Sequence, residues 1–213
     1  ASDVYKRQTM ALWGTTHDSA SNKPKYLPDN KDSNYDVTTC YANQSGWVMR
    51  AGSKATGNGN TDADPEILVA IKGLAGATAT TGLKHPTITK ARWTSAALTH
   101  GSGVDISVEV TYDEQVKFTA GSAPTIATLK GGSSGGPALT MDRINGKAIS
   151  GTNHTGNTFR FKGTTNGAGT ITIANNTEMG NKATLTDAIS TTALEDDSVT
   201  LVTALLPGNC VVS

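Results

Sequence analysis

The sequence predicts an all-β protein, with a C-terminal antiparallel β-sandwich preceded by a small, loop-rich β N-terminal domain or arm. Three observations predict it. The 213 residues include 33 Thr and 23 Gly but few aromatic side chains, a composition that suits pleated strands joined by tight turns. Val104, Ile106, Val108, Val110 and Tyr112 alternate with Asp105, Ser107, Glu109 and Thr111, nine residues of period two. Turn-forming clusters at 130–137, 145–146, 151–156 and 166–169 separate the apolar stretches that follow.

Residues 1–9 (ASDVYKRQT) lack the apolar core of a secretory signal. Residues 2–8 resemble translated sequencing-adapter read-through, which makes 1–9 an expected non-native leader and Met10 the natural start. Residues 10–87 are the expected N-terminal domain. They are rich in Asn, Asp, Ser and Lys, with two runs long enough for a strand, 46–49 (GWVM) and 66–71 (EILVAI). Pro24 and Pro28 keep Lys25-Tyr26-Leu27 extended. Leu12, Trp13, Tyr26, Leu27, Tyr35, Tyr41 and Trp47 are scattered without a period that would gather them into one core. Each such side chain left in water forgoes roughly 1.5–3 kcal/mol. Leu12, Trp13, Tyr26, Leu27 and Trp47 are therefore expected at an assembly interface, with core the other reading of Trp47.

Residues 88–206 form the expected sandwich and 207–213 a tail. The alternation at 104–112 sets one strand, with Val104, Ile106, Val108 and Val110 inward and Asp105, Ser107 and Glu109 outward. Weaker alternations at 125–129, 158–162, 170–174 and 199–205 set others, whereas 173–194 shows no clear strand. Trp93, at the start of the sandwich, reads as core.

Eighteen basic and eighteen acidic residues leave no net charge and no basic stripe, which argues against a nucleic-acid partner. No apolar run is long enough to span a membrane. Cys40 and Cys210 lack metal-site spacing, and read either as free thiols or as one disulfide.

Residues 131–137 (GGSSGGP) echo the nucleophile segment of chymotrypsin-like proteases, but Ser133 stands where those enzymes carry Asp. His100 lies too close in sequence to Ser134 for the strands a double barrel requires. A turn between strands is the expectation for Ser134, and no catalytic residue and no cofactor are expected. Asn58, Asn60, Asp62 and Asp64 place oxygens at every second position, as a calcium site would, though without the glycine and glutamate spacing of an EF-hand loop. An Asx-rich turn is the competing reading. The acidic runs Asp113-Glu114 and Glu195-Asp196-Asp197 read as solvated strand ends.

Two resemblances add to this. The segments Ala91-Arg92-Trp93-Thr94-Ser95, 103–116 (GVDISVEVTYDEQV) and Ala123-Pro124-Thr125-Ile126 resemble bacterial immunoglobulin-like repeats, and Thr158-Phe159-Arg160-Phe161 is similar to their next strand. This resemblance covers roughly 88–206 and implies an Ig-like sandwich without implying any chemistry. Ala11-Leu12-Trp13-Gly14, 22–27 (NKPKYL), Gly46-Trp47-Val48 and 65–71 (PEILVAI) are similar to the opening of small structural proteins of marine tailed phages, especially those infecting cyanobacteria. That resemblance covers about 65 residues. It implies a non-enzymatic virion structural protein, a capsid-decorating or neck- or tail-associated subunit made in the host cytoplasm. Its implied partners are copies of itself and major capsid or tail proteins. The competing expectation is an adhesion module on a bacterial cell surface that binds carbohydrate or protein of a host surface.

Overall fold

The computed structural model describes residues 23–24, 37–76, 83, 85–94, 99–100, 102–151, 153–196, 198–199 and 210–212. The chain is nearly all β and divides into two compact units, Ala1–His85 and Pro86–Ser213, two residues from the boundary expected at 87/88. Among the described residues, no helix is long and apolar enough to cross a membrane.

In the first unit, β1 (Cys40–Asn43) and β2 (Gly46–Met49) form an antiparallel hairpin, and β3 (Glu66–Ala70) pairs antiparallel with the other side of β2. The hairpin loop is closed by Asn43, whose Oδ1 accepts the Ser45 N–H at 2.8 Å. Gly46 then takes φ +132°, and a Cβ there would lie 2.0 Å from the Val69 carbonyl oxygen. Only glycine permits β3 to approach so closely.

All four residues of β2 are buried, and Tyr41, Trp47, Met49 and Leu74 belong to a small core. This corrects the expectation that the segment gathers no core. A strand covered on both faces shows no alternation, so the period that would have signalled it is missing. It corrects the interface role of Trp47 as well. With no exposed surface in the chain alone, its ring has nothing left to bury against a partner. Cys40 is a buried free thiol whose pKa burial pushes up to about 11, against the opposing pull of the Lys23 charge.

The second unit is organised on β6 (Asp105–Phe118), fourteen residues long. Its main sheet continues through β12 (His154–Thr164) to β10 (Leu139–Ile144) and β11 (Lys147–Ala148). On its other side β6 pairs first with β4 (Ile88–Trp93) and then with β15 (Leu185–Asp187), while β7 (Thr125–Ile126) adds to β10. A second sheet runs β5 (Thr99–His100), β17 (Cys210–Val212), β13 (Gly169–Thr172), β8 (Leu129–Lys130) and β9 (Ser133–Ser134). A ribbon of β14 (Thr177–Glu178) and β16 (Ser198–Val199) completes the described strands.

Both sheets contribute to one core. Trp93, Tyr112, Phe159 and Phe161 come from the main sheet and Ile171 from the second, with Tyr112 and Phe159 packed edge to face at 5.7 Å between centroids.

Ile106, Val108 and Val110 are fully buried, and Asp105, Ser107 and Glu109 are exposed or half-exposed, as the alternation predicts. Val104 is a correction. It precedes the first ladder pair, Asp105 with Thr164, and is 38% exposed although Thr165 still bonds its backbone, so it lies at the strand end, past the cover of the core. The expected wholly antiparallel arrangement also needs amending, since β17 and β5 run parallel. The stretch 173–194 does hold strands. In β15 the Leu185 side chain is buried, and the strand is too short for its period to register in sequence.

Candidate functional site

Ser134 sits where tight turns put it. Gly131 and Gly132, at φ +59° and +78°, are the two-residue loop between β8 and β9, with Lys130 opposite Ser133 and Leu129 opposite Ser134. Two successive positive φ angles define the turn that best matches strand twist. Asn145-Gly146 between β10 and β11 uses the same geometry, at φ +49° and +80°. Ser134 is exposed, and the His154 ring on β12 meets the backbone of Ser150, 3.1 Å from its Nε2. Among the described residues nothing beside Ser134 activates it as a nucleophile.

The candidate cation loop folds upon itself. Asn58 Oδ1 accepts the Asn60 N–H at 2.9 Å, and Asn60 Oδ1 accepts the Asp62 N–H at 3.0 Å. Two of the four ligands in question thus serve consecutive Asx turns leading into β3, and Asp64 points to solvent. Among the described residues, no group of three or more His, Cys, Asp or Glu side chains is placed to hold a metal ion.

Leu12, Trp13, Tyr26 and Leu27, the other expected interface residues, lie outside the described residues.

The acidic pair Asp113-Glu114 departs most from expectation. Both residues lie mid-strand and are buried. The cause is an irregularity in the main sheet. Thr111 pairs with Thr158 and Val116 with Gly156, so residues 112–115 of β6 stand opposite Asn157 alone. Asp113 accepts the Thr87 N–H at 2.7 Å. On β15, Asp187 accepts the Ile189 N–H at 2.7 Å and the Ser190 hydroxyl at 2.9 Å. Glu114 falls between Tyr112 and Val116 in the buried parity of β6. It is 1% exposed, and neither carboxyl oxygen has a hydrogen-bond partner among the described residues.

Burial, reinforced by the negative charges of Asp113 and Asp187, pushes the Glu114 carboxyl from 4.5 to about 8, so it is protonated at neutral pH. A carboxyl this enclosed can hold a proton, but no substrate could reach it to accept one. In the second acidic run, Asp196 is likewise anchored: its Oδ2 accepts the Ile88 N–H at 2.8 Å and its carbonyl accepts the Tyr112 hydroxyl at 3.3 Å.

On the outer face of the main sheet, charges alternate across the strands. Arg92 of β4 meets Glu109 of β6 at 3.1 Å, and Arg160 of β12 donates to Asp142 of β10. Lys162 meets Asp105 at 2.6 Å, and this partner, with the Thr164 hydroxyl, holds the Asp105 carboxyl below its usual range. These charges are matched within the sheet, which leaves little for an outside ligand.

The first unit differs. Along β3 every residue is exposed or half-exposed, and Ile67, at 56%, is the most exposed large hydrophobic among the described residues. Its sequence, EILVA, is no more apolar than that of a buried strand, so only the pairing order identifies it as an edge.

Comparison of the chain with protein-family models, with curated proteins and with solved structures gives no match.

Proposed function

We propose that this chain is a non-enzymatic structural subunit of a tailed phage particle, decorating the capsid or associated with the neck or tail. In this reading the second unit is an Ig-like module. The observation that carries it is the contrast between the two units. The second matches its outward charges pairwise across strands, whereas the first leaves an apolar edge strand, β3, open to solvent. An open edge is a template for pairing with another chain, and natural sheets usually blunt it. In a symmetric particle, one such contact is repeated in every copy. The resemblance of residues 11–14, 22–27, 46–48 and 65–71 to phage structural proteins points the same way.

The experiment is to purify tailed particles produced from the genome that encodes this chain, quantify it by mass spectrometry and locate it by labelled antibody. A fixed number of copies per particle at a defined position is expected. Absence from the particles, with saturable binding of the isolated chain to bacterial cells, would replace this reading with the adhesion module.

A further inference from the structure

We infer that β3 is a self-docking edge: two copies of the chain set their β3 strands antiparallel about a two-fold axis. This rests on the structural-subunit reading and deepens it by naming the partner and its orientation. Along one side β3 pairs with β2, with a bulge at Leu68 where the register shifts between Trp47 and Val48, and among the described residues no strand pairs with its other side. The strand contains neither Lys nor Pro, the residues that commonly keep such edges apart.

Charge identifies the occupant as a second copy. Asp62, Asp64 and Glu66 gather at the N-terminal end of β3 and Lys72 follows its C-terminal end, all exposed. A strand acidic at one end and basic at the other complements itself when antiparallel and repels itself when parallel. In the antiparallel arrangement the acidic end of each copy, with Asp64 and Glu66, faces Lys72 of the other, and the contact occurs twice across the axis. Among the described residues neither Asp64 nor Lys72 has an ion-pair partner in its own chain, so both charges are available. Ile67, near the middle of the strand, is partly covered in the same step.

Sedimentation velocity of the full chain over a concentration series tests this, with circular dichroism to confirm that each variant is folded. The wild-type chain is expected to dimerise. Lys72→Glu turns two attractive pairs into repulsive ones and is expected to weaken the dimer about ten-fold. Asp64→Lys combined with Lys72→Glu restores the pairs with signs exchanged, and should recover association. Ile67→Lys places a charge in the edge and is expected to leave the chain monomeric. A wild-type chain that stays monomeric, a dimer indifferent to Lys72→Glu, or a double variant that fails to recover would each overturn the proposal. A chain found on particles yet monomeric in solution refutes the edge pairing alone; a Lys72-sensitive dimer absent from every particle refutes only the virion reading.

Discussion

Replacing Glu114 by Gln should change how the protein's stability depends on pH, in a direction opposite to that of most carboxylates. In the folded chain Glu114 is 1% exposed, lacks a hydrogen-bond partner among the described residues and faces the negative charges of Asp113 and Asp187, which hold its carboxyl at about 8. In the unfolded chain it titrates near the ordinary value of 4.5. Between these values the folded state must retain a proton that the unfolded state releases. Folding stability is therefore undiminished by this group below about pH 4.5, falls as pH rises towards 8, and levels off beyond. Each pH unit in that window costs a little over 1 kcal/mol, so the loss reaches roughly 3 kcal/mol near pH 7 and at most about 5 above pH 8. That is a large share of the ~5–15 kcal/mol by which domains are stable. Glu114→Gln keeps the size and polarity of the protonated carboxyl but cannot ionise. Urea unfolding, followed by tryptophan fluorescence, should find the two proteins within about 1 kcal/mol of each other near pH 5, the scale of one altered polar group. Near pH 9 the variant should be the more stable by several kcal/mol. The Cys40 thiol, raised from 9.0 to about 11 in the folded chain, is common to both proteins and drops out of the comparison. Equal losses of stability in both proteins between pH 5 and 9 would show that Glu114 ionises freely, and the account of the buried strand irregularity would fail.

Three further outcomes are expected. Gly46→Ala places a Cβ 2.0 Å from the Val69 carbonyl oxygen and 2.6 Å from the Ile71 nitrogen at φ +132°, so it should destabilise the first unit by more than about 2 kcal/mol. An unchanged unfolding curve for that unit would count against the β2–β3 pairing. Glu109→Ala strands the Arg92 guanidinium, only 6% exposed, and should cost roughly 3 kcal/mol. Asp105→Ala, at an exposed pair, should leave the melting temperature unmoved; equal effects from the two variants would mean that burial of Arg92 is not what matters. Ser134 should not react with a fluorophosphonate probe, and Ser134→Ala should melt as the wild type does; covalent labelling of Ser134 would reopen the nucleophile question.

Local chemistry made much of the fold legible. The alternation at 104–112 reports burial on one face of a paired strand, and it placed Ile106, Val108 and Val110 correctly. The Gly131-Gly132 and Asn145-Gly146 turns were readable because positive φ angles favour those residue types whatever surrounds them. Trp93 was readable as core from its place at the start of the sandwich. The remainder depended on contacts between residues far apart in sequence. β15 lies in a stretch without a visible period and forms because β6 offers Val116, Lys117 and Phe118 as partners. Asp113-Glu114 has the look of a solvated strand end, and only the register of β6 against β12 buries it. Trp47 and Ile67 are both large apolar residues in short apolar runs, yet the first is enclosed and the second exposed. The difference is strand order. β2 lies between β1 and β3, while β3 has a neighbour on one side only among the described strands, and composition carries no record of which strand will be central.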